Sequence, residues 1–241
     1  NSMPYLGILT SFIIGAIAGT ITGLLVTRLK IMPLLSGILT MTGLYSINLA
    51  IMDDTPTISL FDQGTIFSDL GNITLYAKLI VIYIIVILLV ILLNLFLRTQ
   101  LGLSLRACGD NEDMVRASSI DTDKMKILGL ALANGLVAMS GAIFAQHQSF
   151  ADVNSGIGMM VIGLASIIVG MTFIKKEKII FQLVAVVFGA VFYRGVLTFA
   201  LQLGLPSGYL KLLSALLVVI AIASTNGALK NKKRRRNHVR T

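Results

Sequence analysis

Apolar residues fill seven long runs of the sequence, and short polar connections separate these runs. An α-helix needs about 20 apolar residues to cross the hydrocarbon core of a bilayer, because each residue advances it by about 1.5 Å. We therefore predict an all-α, polytopic membrane helical bundle. The predicted spans are residues 5–27, 34–52, 75–97, 127–146, 157–174, 179–201 and 209–223.

Basic residues in the connections predict how these spans are oriented. When seven spans alternate, most of the 20 Lys and Arg residues fall on one side of the membrane, and the opposite connection 53–74 has none. Cytoplasmic connections are enriched in Lys and Arg, so the basic side is predicted to be the cytoplasm of a cell-membrane protein. This side comprises Arg28, Lys30, the central segment 98–126, Lys175, Lys176, Lys178 and the tail 230–241.

We divide the chain into a transmembrane domain, residues 1–229, and a basic cytoplasmic tail, residues 230–241. The tail either lies on anionic lipid or only fixes the topology. An odd number of spans places residue 1 outside, yet no cleavable signal precedes Tyr5 and the first residue is Asn1. We therefore expect one or more further spans before Tyr5.

Composition supports the membrane prediction and excludes other classes of protein. Hydrophobic residues make up 56% of the chain and charged residues 13%, whereas charged residues approach a quarter of a soluble domain. The net charge of +9 follows the topology, and no basic face with interleaved aromatic residues indicates nucleic-acid binding. Cys108 is the single cysteine, and His147 is far from His238 in sequence. We predict no nucleic-acid partner, no metal site and no cofactor.

The central segment, residues 98–126, is the one long polar stretch that is rich in both charge signs. It lies between two predicted spans, so it must contact water or another protein. Asp110 or Asn111 can cap a helix over residues 112–118, whose first turn carries carboxylates at the positive end of the helix dipole. Asp121 can cap the next, membrane-spanning helix. The pattern predicts a short helix across the membrane face.

Residues in and after the central segment carry a resemblance to a known family. They are Arg106-Ala107-Cys108-Gly109-Asp110-Asn111, then Arg116-Ala117, Ile120, and the run from Gly141 and Ala142 to Gly156, Gly158 and Gly170. From about Leu6 to Ser224, the chain resembles the permeases of ABC importers for branched-chain amino acids, ribose and related solutes. The run from Leu34 to Leu49 is most similar to permeases grouped with aromatic amino-acid uptake.

The resemblance implies a role for the short helix and a set of partners. In that family, a segment of this kind forms the coupling helix, which fits a groove on the cytoplasmic ATPase subunit. The partners implied are this ATPase, a second permease copy that is identical or related, an extracytoplasmic solute-binding protein and membrane lipid. The coupling residues implied are Arg106, Gly109, Asp110, Asn111, Glu112, Asp113, Met114, Arg116 and Ala117.

Four positions depart from the family pattern. The family usually has Pro in place of Glu112, Ala in place of Val115, Gly in place of Ser119 and a second Gly in place of Met171. These departures affect the inference of the solute more than the inference of the fold.

The energy source decides between two classes of transporter. No Gly-Lys dipeptide occurs, which excludes a nucleotide-binding P-loop. No predicted span carries a carboxylate that could relay protons. Energy must then come from ions bound by neutral oxygens or from a partner subunit docked on the central segment. The resemblance implies the second source: we expect the permease subunit of an ABC importer, which is not itself an enzyme, with an amino acid as solute. The alternative is a self-contained secondary transporter or channel that uses Asn48, Asn134 and Arg194.

Polar residues inside the predicted spans are candidates for a translocation path. They are Thr40 and Asn48 in the second span, Asn134 and Gln146 in the fourth, and Arg194, about 10 Å from the outer end of the sixth. Such groups need partners inside the protein. Hydroxyls can instead bond back to their own helix, and Arg194 can either meet a substrate carboxylate or reach the membrane surface along its helix. Both interpretations stay open.

Glycine spacing makes two further predictions. Gly15, Gly19 and Gly23 form one smooth stripe, which favours packing within the chain over a dimer seam. The glycine-rich run 156–170 indicates either a re-entrant or broken element near the path, or a hairpin with close helix packing.

Two segments carry weaker patterns. The external connection 53–74 is expected to hold a short helix or hairpin, and is either a landing surface for a binding protein or a solvated loop. Residues 34–39 are similar to residues 212–217, five spans away and in the opposite direction, which predicts an inverted repeat.

Overall fold

The computed structural model describes residues 4–60, 64–66, 75–156, 159–174 and 178–204, with single residues from 206 to 219. The chain divides into two compact units, Asn1–Asn154 and Ser155–Thr241. The predicted tail 230–241 and most of the predicted span 209–223 lie outside the described residues. The proposed partner of residues 34–39 in an inverted repeat, 212–217, lies partly outside them, so the repeat stays a prediction.

Helices form most of the described chain. The first unit contains α1 (Pro4–Thr27), α2 (Pro33–Ile51), α3 (Leu75–Phe96), α4 (Gln100–Asp110), α5 (Glu112–Ala117) and α6 (Thr122–Gln148), with strands β1 (Thr57–Ser59) and β2 (Phe150–Asp152). A 3-10 turn, Val153–Gly156, follows β2, and the second unit contains α7 (Met159–Phe173) and α8 (Ile179–Gln202).

Five of the described helices are long and apolar enough to cross a membrane. They are Pro4–Thr27, Pro33–Ile51, Lys78–Phe96, Thr122–Gln148 and Ile179–Gln202. They confirm the predicted spans 5–27, 34–52, 75–97, 127–146 and 179–201 as helices of spanning length. α7 covers the predicted span 157–174 but has 15 residues, fewer than the roughly 17 to 25 of a usual crossing.

Helices α1 and α6 form the main helix–helix contact of the first unit. Gly15, Gly19 and Gly23 lie buried along α1. A Cβ atom added at Gly19 would lie 2.8 Å from the Cα atom of Ala131, and one added at Gly23 would lie 2.9 Å from the Cα atom of Ile127. These distances leave no room for a side chain, so the small residues allow the two backbones to approach. The glycine stripe packs within the chain, as predicted.

Hydroxyl groups join α2 to α1. The buried Ser36 hydroxyl donates to the backbone carbonyl oxygen of Thr22 at 3.0 Å. Thr22 Oγ1 lies 2.9 Å from Thr40 Oγ1, and the Thr40 hydroxyl donates to the Ser36 carbonyl oxygen at 3.0 Å. In hydrocarbon, polar groups must find partners within the protein. This network supplies them.

A two-stranded ribbon connects two distant connections of the first unit. β1 pairs antiparallel with β2, with Ile58 opposite Ala151. The Leu60 N–H donates to the Ser149 carbonyl oxygen at 2.8 Å. The connection 53–74 is therefore tied to the turn after α6. The helix or hairpin expected within 53–74 falls partly on residues outside those described.

Helices α7 and α8 pack closely in the second unit. A Cβ atom added at Gly189 would lie 2.8 Å from the backbone N of Gly170. Ala165 and Ala185 are fully buried. This contact supports the close-packing interpretation of residues 156–170, and the re-entrant alternative stays a prediction.

Candidate functional site at the junction of α4, α5 and α6

Helix α4 occupies the first half of the central segment, where the sequence analysis predicts no helix. Thr99 caps it, since its Oγ1 atom accepts from the Gly102 N–H at 3.3 Å. Leu105 faces α6, because a Cβ atom added at Gly129 would lie 2.9 Å from its Cδ1 atom. The sequence did contain a signal for this helix: a threonine at the cap position, followed by two leucines four residues apart, Leu101 and Leu105.

Asn111 ends α4 and begins α5. Its backbone is extended, its N–H donates to the Ala107 carbonyl oxygen at 2.9 Å, and its Oδ1 atom accepts from the Met114 N–H at 3.1 Å. Of the two predicted caps, Asn111 is the one that caps α5, while Asp110 is the last residue of α4. Helix α5 ends at Ala117, one residue earlier than predicted.

Two residues hold α5 at its inner face and at its end. Val115 is 5% exposed and points into the protein. Ser119 has a φ of 62°, in the left-handed region that glycine adopts most easily. Glycine would adopt this turn without strain, and here Ser119 adopts it.

The outer face of α5 is open. Met114 is 69% exposed, and Asp113 and Ala117 are exposed beside it. A flexible methionine side chain adapts to the shape of a contacting surface. The exposed residues of α4 include Arg106, Gly109 and Asp110, so the predicted coupling residues lie on two consecutive helices and the cap between them.

A cluster of charged side chains ties α5 to the beginning of α6. Glu112 Oε2 lies 2.6 Å from Lys126 Nζ, and Glu112 Oε1 lies 3.0 Å from Arg116 Nη2. The buried Thr122 hydroxyl donates to Glu112 Oε1 at 3.3 Å and accepts from Arg116 at 3.0 Å. Arg116 also lies 3.9 Å from Asp123. One carboxylate thus contacts a cation on each helix.

These contacts favour the ionised form of Glu112. The hydrogen bond from Lys126 is the largest cause that lowers the pKa of Glu112, and the Lys126 charge, the Thr122 hydroxyl and the Arg116 charge act in the same direction. Partial burial opposes them to a smaller extent. Glu112 is ionised at physiological pH, and its negative charge faces the cations of Arg116 and Lys126.

Asp121 caps α6, as predicted. Its Oδ1 atom accepts from the Lys124 N–H at 3.2 Å, and its Oδ2 atom lies 3.2 Å from Lys124 Nζ. The backbone hydrogen bond is the largest cause that lowers the pKa of Asp121. This ion pair lies within one helix, unlike the pair of Glu112 and Lys126.

Four of the predicted path residues lie on α2 and α6: Thr40, Asn48, Asn134 and Gln146. The Thr40 hydroxyl belongs to the network with Ser36, and the Asn134 amide donates to the Leu130 carbonyl oxygen of its own helix at 2.9 Å. Asn48 is exposed on α2. The hydroxyl of Thr40 therefore follows the back-bonding interpretation, and a path role for these residues stays a prediction.

Gln146 and Arg194 have different surroundings. The Gln146 amide donates to the Pro4 carbonyl oxygen at 3.1 Å and accepts from the Ile66 N–H at 3.2 Å, so it joins three segments. Arg194 is exposed on α8, next to the buried Tyr193. Among the described residues, the Arg194 guanidinium has no hydrogen bond or ion pair.

Comparisons with known proteins identify relatives along almost the whole chain. Residues 1–223 match the family model described as the permease component of branched-chain amino acid transport systems. The "Tyrosine transport system permease protein" of Clostridioides difficile is 41% identical over 231 residues, which are 95% of this chain and 76% of the relative. No solved structure matches.

More distant relatives extend the comparison to other solutes. The "Uncharacterized protein RP368" of Rickettsia prowazekii is 34% identical, over 93% of this chain and 81% of the relative. The "Ribose import permease protein RbsC" of Haemophilus influenzae is 26% identical, over 92% of this chain and 68% of the relative. The family resemblance of the sequence is confirmed. With its multi-pass helices, the chain belongs to the branched-chain amino-acid and ribose permease family, and is the membrane permease subunit of an ABC importer.

Proposed function

We propose that this permease imports an aromatic amino acid of the tyrosine type. The 41% identical relative is named for tyrosine transport, and the run from Leu34 to Leu49 is similar to permeases grouped with aromatic amino-acid uptake. The ribose permeases are more distant, at 26% identity. The chain supplies the membrane path, and its partners supply the energy and the solute.

Separate ATPase subunits dock on α5, on the cytoplasmic side of the membrane. The observation that carries this proposal is a short, capped helix whose inner face is held by Val115 and the Glu112 cluster while Met114 stays 69% exposed. A six-residue helix is not stable alone, so its position is set by the body on which it rests. ATP binding by the partner then shifts the population between inward-open and outward-open states through this contact.

The other partners follow from the same assignment. A second permease copy, identical or related, completes the path, and a solute-binding protein docks outside on the ribbon that joins connection 53–74 to β2. Within the path, Thr40, Asn48, Asn134, Gln146 and Arg194 are the proposed polar residues. An inverted repeat that relates the two halves of the permease accounts for the likeness of residues 34–39 to 212–217.

Co-purification tests the ATPase contact. The full chain is co-expressed with its partner ATPase, and the ATPase recovered with the tagged permease is measured. Met114→Asp places a charge at the exposed centre of α5, so we expect the recovered ATPase to fall about tenfold or more. Gln100→Ala, on an exposed position of α4 outside the coupling residues, is the matched control and keeps the association.

Two outcomes would contradict the proposal. Equal recovery of the ATPase with Met114→Asp would move the contact away from α5. ATP-independent flux by the purified chain alone in liposomes would instead assign it to the secondary transporters or channels.

Uptake by the assembled complex tests the solute. Cells that express the permease with its ATPase and binding protein are given labelled tyrosine, with unlabelled phenylalanine, leucine or ribose as competitors. We expect phenylalanine to compete and ribose to have no effect. Competition by leucine alone would place the solute in the branched-chain class.

A further inference from the structure

Two ion pairs and the Thr122 hydroxyl join α5 to the beginning of α6, and the pair of Glu112 and Lys126 is the closest of these contacts. Helix α5 begins at Glu112, and Lys126 is the fifth residue of α6. Their side chains meet at 2.6 Å, the shortest ion-pair distance among the described residues. Both side chains are 34% exposed, whereas Lys124 in the neighbouring pair with Asp121 is 79% exposed. Water therefore screens the pair of Glu112 and Lys126 less than the pair of Asp121 and Lys124.

Lys126 is also next to the glycine contact between α6 and α1. Its neighbour Ile127 meets α1 at Gly23, where a Cβ atom would lie 2.9 Å from the Ile127 Cα atom. Two residues further on, Gly129 packs against the Leu105 side chain of α4. The first turns of α6 therefore contact α1, α4 and α5 within a few residues. A displacement of this end of α6 would reach two other helices through close packing.

We propose that the pair of Glu112 and Lys126 is the positioning link that makes α5 and α6 move as one body when the ATPase acts on α5. The two residues act through the geometry of the helices and do not contact the solute. Arg116 and Thr122 contact the Oε1 atom of Glu112. These contacts orient the other carboxylate oxygen, Oε2, toward Lys126. This proposal rests on the proposed docking of the ATPase at α5.

Lys126 is the cation through which the Glu112 carboxylate pairs with α6. Loss of the Lys126 charge leaves Glu112, among the described residues, with Arg116 of its own helix and with the Thr122 hydroxyl of α6 at 3.3 Å. The ion pair of Glu112 with α6 is then lost, and one hydrogen bond to α6 remains.

The test separates coupling from assembly. The permease, its ATPase and its binding protein are reconstituted in proteoliposomes, and the labelled tyrosine transported per ATP hydrolysed is measured. Lys126→Met removes the charge with little change in shape. We expect the ratio to fall roughly two- to thirty-fold, while ATPase recovery with the permease is retained. Lys126→Arg keeps a cation within reach of Glu112 and restores most of the ratio.

Two comparisons make the result specific. Lys124→Met removes an ion pair that lies within α6, so this matched control keeps the wild-type ratio. In the double variant Glu112→Gln with Lys126→Met, the transport per ATP should be no lower than in the more impaired of the two single variants. The reason is that both substitutions break the same contact.

The outcomes are distinct for the link and for the proposed function. An unchanged ratio in Lys126→Met, or losses that add in the double variant, would overturn the link. Loss of ATPase recovery in Lys126→Met would overturn it too, since the residue would then hold the ATPase interface. If the wild-type complex shows no solute-stimulated ATP hydrolysis, the proposed function itself fails.

Discussion

Glu112 is the residue at which the electrostatics of the central segment can be tested by pH. Lys126, Thr122 and Arg116 lower its pKa, so its ionised form is favoured more in the folded protein than in the unfolded chain. A group with a lowered pKa contributes stability above its ordinary pKa, here 4.5, and loses that contribution as the pH falls through the lowered value.

We expect the amide protection of α5 against hydrogen exchange to decrease as the pH falls below about 4.5. Protection factors at Met114 and Val115, corrected for the intrinsic exchange rate, provide the measurement. Glu112→Gln should show weaker protection at neutral pH and little further loss in acid. Asp121→Asn is the control, because it removes the other group with a lowered pKa and leaves the Glu112 contacts. An identical pH profile in Glu112→Gln would contradict the assignment.

Arg194 is the residue at which transport and structure can be separated. A charge within a membrane span is costly and requires a partner or a route to water. If the guanidinium meets the solute carboxylate, Arg194→Ala should lower uptake about tenfold or more, the size expected for a lost hydrogen bond to a charged group. Assembly with the ATPase should stay at the wild-type level, and Lys78→Ala, near the outer end of α3, should transport normally. An equal loss of assembled complex would make Arg194 structural.

Helix contacts determine the stability of the first unit at the scale of elements. α1 and α6 approach through glycines, and an added methyl group must displace backbone atoms. Gly19→Ala should therefore destabilise the permease by about 1–3 kcal/mol, as overpacking does elsewhere. Thermal unfolding in detergent measures the effect.

Gly37→Ala is the matched control for this prediction. It lies on α2, where no described atom falls within 4 Å of an added Cβ. The substitution should be neutral, or stabilising by up to about 1 kcal/mol from helix propensity. Equal destabilisation by both substitutions would mean that the contact between α1 and α6 is not what limits stability.

Element prediction succeeded where the signal is local. The side chains of the caps Asn111 and Asp121 each accept a hydrogen bond from the backbone N–H three residues further along the chain. Such short-range caps can be predicted from the sequence. Helix α4 was missed because its eleven residues are amphipathic and polar, and the membrane pattern places them in a loop. Its Leu105 meets Gly129 of α6, 24 positions along the chain, and only the fold brings these two residues together.

Topology can be tested at the scale of the whole molecule. The basic connections place the central segment in the cytoplasm, and Cys108 lies in this segment, half-buried, with its Sγ atom 4.0 Å from the Thr122 carbonyl oxygen. A membrane-impermeant thiol reagent should label Cys108 in inside-out vesicles and leave intact cells unlabelled. A Cys108→Ser chain is the control for labelling of other proteins. Labelling on intact cells would reverse the predicted orientation.

The sequence by itself determined the membrane class, five helices of spanning length and the short helix that follows Asn111. These features depend on hydrophobic periodicity and on hydrogen bonds between residues a few positions apart. The signal for each feature therefore lies within its own short segment of the sequence. The family assignment came from the same stretches.

Only the tertiary structure decided which polar groups meet. The Gln146 amide donates to the Pro4 carbonyl oxygen, 142 residues away, and Glu112 of α5 pairs with Lys126 of α6. Ser36 and Thr40 likewise find Thr22 on another helix. Such partners depend on how helices pack, because an interhelical contact has no fixed spacing in sequence. Local patterns could therefore propose these residues for a path or a coupling site, but could not assign their contacts.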